Sequence, residues 1–265
     1  MQTTKDTEII TADMLCAALN KSNITGLRVV TLESVGSTNT LAKQMAGEGI
    51  PTLIVANGQT GGRGRLGRSF ACPDGAGVYM SLLLYPDIPA GEVSRLTCLA
   101  AVAAARAVHT VSGITPFIKW VNDLYIGNKK LAGILTEGSI NQDGSLAYAV
   151  IGIGINVHHA DRGEYSDIAT DIETEGGRPT HRTELIAELV AELLPMIEAD
   201  PTPYFAEYAH RASPIVGRRV LVKNGECEFY ATVDGIDPDC RIRVKNDDGT
   251  LLTIGSGEVT VSFKM

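Results

Sequence analysis

Beyond Pro214 the chain changes texture, and that change bounds the folds open to it. Short alternating apolar runs follow one another at Arg219 to Val222, Phe229 to Val233, Ile242 to Val244, Leu251 to Ile254 and Val259 to Phe263. Asn224-Gly225, Asp234-Gly235 and Asp248-Gly249 fall between runs and supply the residues that tight hairpin turns favour. A small β-barrel over 214–265 is therefore expected, preceded by a larger unit over 1–213 in which helical and strand-length segments alternate.

Within the larger unit, Ala90 to Thr110 reads as the longest helix, with Leu96, Leu99, Val102, Ala103 and Ala107 at helical spacing. Thr183 to Leu194 and Pro203 to Ala212 read as two more. Strands are expected at Leu27 to Val35, Thr52 to Ala56, Val78 to Tyr85, Phe117 to Trp120, Leu124 to Ile126, Leu131 to Glu137 and Leu146 to Val157. Ser37, Thr38 and Asn39 precede a helical stretch from Leu41, with side-chain oxygens available for capping. His158 to Pro179 is polar and irregular. The fold class expected is α+β, a mixed or antiparallel sheet flanked by helices plus the small barrel.

Composition narrows function by exclusion. The 265 residues carry 23 Lys and Arg against 31 Asp and Glu, a net charge of −8, so a general nucleic-acid or membrane-surface binder is disfavoured. No apolar run reaches the ~18 residues of a membrane span. The polar start, Met1 to Asp6, lacks the pattern of an export signal, and five scattered cysteines without a C-x-x-C pair fit a reducing cytoplasm. The 28 glycines are the unusual count, and their clustering marks the chemistry.

Gly62-Arg63-Gly64-Arg65-Leu66-Gly67 matches the letter of a dinucleotide fingerprint but is not followed by a helix to hold a pyrophosphate. Its content is different: glycines admit an anion to the backbone while Arg63, Arg65 and Arg68 bring three guanidinium groups. Lys119-Trp120-Val121-Asn122-Asp123 and Lys129-Lys130-Leu131-Ala132-Gly133 place lysines beside turns. Taken alone, Asn122-Asp123 is equally a plain turn and Lys129-Lys130 a hairpin tip. Gly152-Ile153-Gly154-Ile155-Asn156 is a strand whose two glycines weaken it unless something packs against its backbone. Phe70 and Trp120 each suit either a ring-stacking role or the core. His158-His159 has no partner spacing for a metal site, and no metal-ligand set is assigned.

Together these segments resemble the biotin–protein ligase family. The resemblance rests on Ser37-Thr38-Asn39, Gln59-Thr60-Gly61-Gly62-Arg63-Gly64-Arg65-Leu66-Gly67-Arg68, Lys119 to Leu124, Lys130 to Leu135 and Gly152 to Asn156, in family order. It implies a class II synthetase-like catalytic domain with a C-terminal SH3-like barrel. It also implies a two-step reaction, in which biotin and Mg·ATP give biotinyl-5′-adenylate and a carrier-protein lysine then takes the biotinyl group. By the same resemblance Ser37, Thr38, Asn39, Gln59, Arg63, Gly64, Arg65, Lys130 and Gly133 would bind biotin. Arg65, Arg68, Phe70, Trp120, Asn122, Asp123, Lys130 and Asn156 would bind ATP and the adenylate. Lys130, Arg65 and Asp123 would carry catalysis.

Two positions depart from the family pattern: Val121 stands where Pro is common, and Phe70 where Trp is often found near the adenine. Only 36 residues precede Ser37, too few for the winged DNA-binding module of bifunctional members, so a monofunctional ligase that binds no DNA is expected. The implied partner is a biotin carboxyl carrier protein. A lipoate–protein ligase or a silent adenylate-binding regulator are the competing readings, and sheet edges around residues 117–157 would suit a homodimer.

Overall fold

The computed structural model describes residues 8–224, 227–255 and 258–261. The larger unit is built on a seven-stranded sheet. Its strands are β1 (Arg28–Val35), β2 (Thr52–Gln59), β3 (Gly77–Leu84), β4 (Phe117–Lys119), β5 (Asp123–Ile126), β6 (Lys129–Ile140) and β7 (Leu146–Asn156), in the order β1-β2-β3-β7-β6-β5-β4. Only β1 and β2 pair in parallel; every other pairing is antiparallel.

Every residue of β3 is buried, because helices cover both faces of the sheet at its centre. Val78, Met80 and Leu82 turn to the large core beneath α1 (Ala12–Lys21), α3 (Val93–Ser112) and α4 (Arg182–Glu198). Leu83 turns the other way, joining Ile54, Val150, Ala42 and Ala46 under the single helix α2 (Thr38–Met45). The alanine-rich stretch Ala100 to Ala105 is wholly buried, and its small side chains let α3 lie close between sheet and α4. A 3-10 turn at Ala90–Glu92 leads into α3, and Gly113 at φ +81° ends it in the left-handed region that glycine takes without strain.

Helix α4 runs through Pro195 to Glu198, beyond the Leu194 expected, with Met196 buried in the core; α5 (Thr202–Arg211) follows. Glu8 reaches the first turn of α4, where its carboxylate accepts the Arg182 and Thr183 backbone N–H groups and the Thr183 hydroxyl. The Arg182 side chain is fully buried and donates to the carbonyls of Glu8 and Gly77 and to Asn57 Oδ1.

The C-terminal unit is a separate five-stranded antiparallel sheet of β8 (Arg219–Asn224), β9 (Cys227–Ile236), β10 (Ile242–Lys245), β11 (Leu251–Ile254) and β12 (Glu258–Val261), ordered β11-β10-β9-β8-β12. The overall class is thus α+β, as the segment pattern implied. One turn assignment is corrected: Asp234-Gly235 lies inside β9, where the register slips between Arg243 and Val244 and Asp234 is left as the extra residue of a bulge. The reversal comes later, at Asp237–Arg241, organised by the Asp237 carboxylate on the backbone N–H groups of Asp239 and Arg241. Asp248-Gly249 does turn, with Gly249 at φ +88°. Gly225 and Phe263 lie outside the described residues.

Two bonds tie the small sheet and α5 to the β4–β5 turn. The Trp120 indole N–H donates to the Cys240 carbonyl at 2.8 Å, and the buried Tyr208 hydroxyl donates to the Val121 carbonyl at 2.9 Å.

Candidate active site

Gly152, Gly154 and Asn156 share one face of β7, as the two-residue period of a strand requires. Gly154 pairs with Gly133 of β6 on one side, and Gly152 lies between Ser81 of β3 and Leu135 of β6. The glycines strip that face of side chains, and other groups use the room. A Cβ added at Gly152 would stand 2.0 Å from Asn39 Oδ1, and one at Gly154 would stand 2.6 Å from the Phe70 ring. The result is a cavity of about 440 Å³ over the centre of the sheet.

One end of the cavity is the start of α2. Ser37 occupies the N-cap position, but its side chain makes no capping bond; this corrects the capping expected of Ser37, Thr38 and Asn39. Their polar groups are committed to tertiary contacts instead. Gln59 Oε1 accepts the Thr38 backbone N–H at 2.7 Å and the Thr38 hydroxyl at 3.2 Å. Asn39 is buried and donates to the Leu135 carbonyl and to Glu137 Oε2. The Ser81 hydroxyl lies 2.6 Å from Asn39 Oδ1 and 2.7 Å from Thr38 Oγ1, with one proton to give between them.

Glu137 anchors this end. Burial alone would raise its carboxyl, but Lys43 Nζ at 2.7 Å and the Asn39 amide outweigh that and hold it below the ordinary carboxylate range.

The other end is cationic. Between β5 and β6 the pairing runs Asp123 with Gly133, Leu124 with Ala132 and Tyr125 with Lys130, so Leu131 is the extra residue of a bulge. That bulge shifts Lys130 onto the same face as Gly133, where a Cβ at Gly133 would be 3.1 Å from Lys130 Nζ. Lys130 Nζ sits 2.8 Å from Asp123 Oδ1 and 5.8 Å from the centre of the Phe70 ring. Lys129, one residue earlier, is exposed and does not line the cavity.

The Gly/Arg loop forms the wall. Gly64 N–H donates to the Arg68 carbonyl and Phe70 N–H to the Gly62 carbonyl, so the loop folds back as a narrow hairpin with a 3-10 turn at Arg65–Gly67. No helix follows it. From this hairpin Arg65 donates to Asn122 Oδ1 at 3.3 Å, while Asn122 Nδ2 donates to the Ile134 carbonyl. Cys72 at the base of the loop is buried, which pushes its thiol up to about 12; it stays a protonated packing group, not a nucleophile.

Every residue that the resemblance assigned to biotin, ATP or catalysis lines this one cavity: Ser37, Thr38, Asn39 and Gln59 at one end, Arg63, Gly64, Arg65, Arg68 and Phe70 on the loop, and Trp120, Asn122, Asp123, Lys130, Gly133 and Asn156 beyond. Trp120 is nearly buried and its N–H is committed to Cys240. Asn156 donates to the Thr170 carbonyl, and its buried Oδ1 has no hydrogen-bond partner among the described residues.

Several groups carried no sequence signal. Ser81 and Glu137 lie inside apolar strand patterns. Tyr125, Arg162, Tyr165, Ile168 and Ala169 line the cavity, as does Lys119, which the 119–124 motif includes. Ala169 is brought in by a parallel bridge to Lys130, with Lys130 N–H donating to the Ile168 carbonyl and Thr170 N–H to the Lys130 carbonyl. Arg162 is buried against Asp171 at 3.2 Å and fixes that covering segment. His158 and His159 face Glu173 and Asp171, and among the described residues no cluster of three or more His, Cys, Asp or Glu side chains could hold a metal ion. No helix among the described residues is long and apolar enough to cross a membrane.

Comparison with known proteins agrees with this geometry. Residues 31–156 match the Biotin/lipoate A/B protein ligase family, and residues 215–262 match the Biotin protein ligase C terminal domain. The chain is 31% identical over 238 residues to the biotin–[acetyl-CoA-carboxylase] ligase of Mycobacterium tuberculosis, covering 86% of this chain and 84% of that one. It is 33% identical over 244 residues to the bifunctional ligase/repressor BirA of Bacillus subtilis, covering 86% and 73%. The structure of the Aquifex aeolicus biotin protein ligase in complex with biotin and ATP is similar with a TM-score of 0.72 and 25% identity, covering 89% of this chain and 98% of that one. This chain belongs to the biotin protein ligase family.

Proposed function

We propose that this enzyme condenses biotin with ATP to biotinyl-5′-adenylate and passes the biotinyl group to a lysine of a biotin carboxyl carrier domain in a carboxylase. The observation that carries the reading is the pair of cationic contacts, Lys130 with Asp123 and Arg65 with the adjacent Asn122, in one cavity that the β7 glycines also line.

The difficulty in the first step is electrostatic. Biotin's carboxylate must approach an anionic α-phosphate, and at ~4 Å with an effective dielectric near 20 the repulsion is about 4 kcal/mol per pair of unit charges. Lys130 and Arg65 set cations where the two anions meet, and Asp123 orients Lys130 without covering it. A carboxylate oxygen bonds to the α-phosphorus, the bond to the bridging oxygen breaks, and pyrophosphate leaves. In the second step the lysine nitrogen attacks the acyl carbon, AMP leaves with the anhydride oxygen, and the nitrogen loses a proton. Ser37, Thr38, Asn39 and Gln59 receive the polar ring of biotin; Arg63, Gly64 and Gly133 line its valeryl chain and carboxylate. Arg68, Phe70, Trp120, Asn122 and Asn156 surround the nucleotide.

Mg²⁺ would arrive on the triphosphate with phosphate and water ligands, which suits a cavity holding few free carboxylates. The five free cysteines suit a cytoplasmic setting. β4 ends the sheet and offers its outer edge to a second copy. Pyrophosphate exchange into ATP tests the reading: it should require biotin, and lipoate should not replace it. Exchange driven by lipoate, or tight biotin binding with no exchange, would overturn it.

A further inference from the structure

Ser81 is buried and Glu137 half-buried, and neither lines the cavity, yet both are bonded to Asn39, which does. Their contacts form one chain across α2, β3 and β6, and its polarity follows from its charged end.

That end is Glu137. Lys43 Nζ holds one carboxylate oxygen at 2.7 Å, and Asn39 Nδ2 donates to the other at 2.9 Å. Asn39 Nδ2 also meets the Leu135 carbonyl at 3.2 Å. A carboxylate and a carbonyl only accept, so the Asn39 amide turns its NH2 to them and its Oδ1 to Ser81. Asn39 Oδ1 only accepts in turn, so the single Ser81 proton goes to it across 2.6 Å. The 2.7 Å contact between the Ser81 and Thr38 hydroxyls then requires the Thr38 proton. Gln59 Oε1 competes for that proton from 3.2 Å, but it already accepts the Thr38 backbone N–H at 2.7 Å. Thr38 Oγ1, on the cavity wall, keeps lone pairs and has no proton to offer.

We propose that Glu137 is a positioning residue that fixes the direction of this chain, so that Thr38 meets the substrate ring as an acceptor. It thereby selects a ring that carries an N–H donor. Biotin's ring has two such donors and the dithiolane of lipoate has none. This rests on the ligase reading above and adds to it a residue that touches no ligand.

The test uses the full chain with Glu137→Gln, alone and combined with Lys43→Met. An ammonium only donates, so in the single variant Lys43 keeps the oxygen of the new amide and turns its NH2 on Asn39. The chain then loses its acceptor end, and the biotin Kd should rise about tenfold or more in calorimetric titration. In pyrophosphate exchange the biotin KM should rise likewise while kcat stays within about threefold, because Lys130 and Arg65 are untouched. The double variant frees the amide to turn its oxygen back to Asn39, so its biotin Kd should return to that of Lys43→Met. Arg63 also feels the Glu137 charge, and an effect through Arg63 would not recover in this way. Two biotin analogues, each with oxygen in place of one ring N–H, supply the second readout. At least one should bind wild type about tenfold or more weaker than biotin, and that ratio should shrink in Glu137→Gln.

A wild-type biotin Kd in Glu137→Gln would overturn the proposal. So would a double variant as weak as the single, which would leave only lost charge or lost packing. Equal discrimination against the analogues in wild type and Glu137→Gln would also overturn it. No biotin-dependent exchange by the wild type would instead remove the ligase reading on which this stands.

Discussion

Gly152→Ala tests whether the glycine floor exists to seat Asn39. The new methyl would stand 2.0 Å from Asn39 Oδ1 and 2.7 Å from its Cγ, against an ordinary contact of at least 3.4 Å. Asn39 would have to retreat by more than 1 Å. It is buried and bonded to Glu137 at 2.9 Å, Leu135 at 3.2 Å and Ser81 at 2.6 Å, so the retreat breaks bonds on every side. Overpacking of this kind costs typically 1–3 kcal/mol, and each lost bond about 1 kcal/mol. A total of about 3 kcal/mol lowers Tm by roughly 6–10 °C in a chain of this size. If that cost falls on the biotin end, the biotin Kd rises about 100-fold. Calorimetric titration with biotin and a thermal melt read both. A variant with wild-type Kd and Tm would refute the packing argument. Gly154→Ala is the contrast: its methyl meets the edge of Phe70, on a hairpin that can yield, so Tm should hold while the KM for ATP rises.

The remaining expectations follow from single contacts. Arg65→Gly removes a charge-assisted bond worth about 1.5–3 kcal/mol, so biotinyl-adenylate should dissociate roughly ten- to a hundredfold faster in filter binding; an unchanged rate would displace Arg65 from the phosphate. Tyr208→Phe leaves the buried Val121 carbonyl without a donor and should cost about 1–3 kcal/mol, read by urea unfolding. Glu137 has a folded-state pKa below its unfolded value, so its contribution is present above the ordinary range near 4.3 and is lost as pH falls through the lowered folded value. The Tm gap between wild type and Glu137→Gln should therefore be open at pH 7 and close only as pH falls through the lowered folded value, below the ordinary carboxylate range; a gap independent of pH would contradict the role given to Lys43 and Asn39.

Much of this fold was legible because its signals are local. The two-residue period puts Gly152, Gly154 and Asn156 on one face, and the α3 face of Leu96, Leu99, Val102, Ala103 and Ala107 is readable from spacing, whereas the burial of Ala100, Ala101, Ala104 and Ala105 beside it is not. The resemblance brought Arg65, Asn122, Asp123 and Lys130 into one account, and the fold brings them into one cavity. What escaped depends on the fold closing. The Leu131 bulge that sets Lys130 on the glycine face is a register choice between two strands, invisible in either. Ser81 reads as one more strand residue until α2 lays Asn39 against it. The segment 158–175 looked irregular because its order comes from Lys130 backbone bonds and the buried Arg162–Asp171 pair. Asp234-Gly235 had turn chemistry that a bulge used instead.

The most direct measurement is the single-turnover rate of biotinyl-adenylate formation in Lys130→Ala beside Lys129→Ala. Lys130 lies in the cavity against Asp123, whereas Lys129 is exposed outside it. Loss of a charge placed on the meeting anions, worth roughly 3 kcal/mol, should slow Lys130→Ala by 10²-fold or more with little change in Tm. Lys129→Ala should match wild type. Near-normal adenylate formation by Lys130→Ala, or a larger loss in Lys129→Ala, would contradict the account of how this cavity activates biotin.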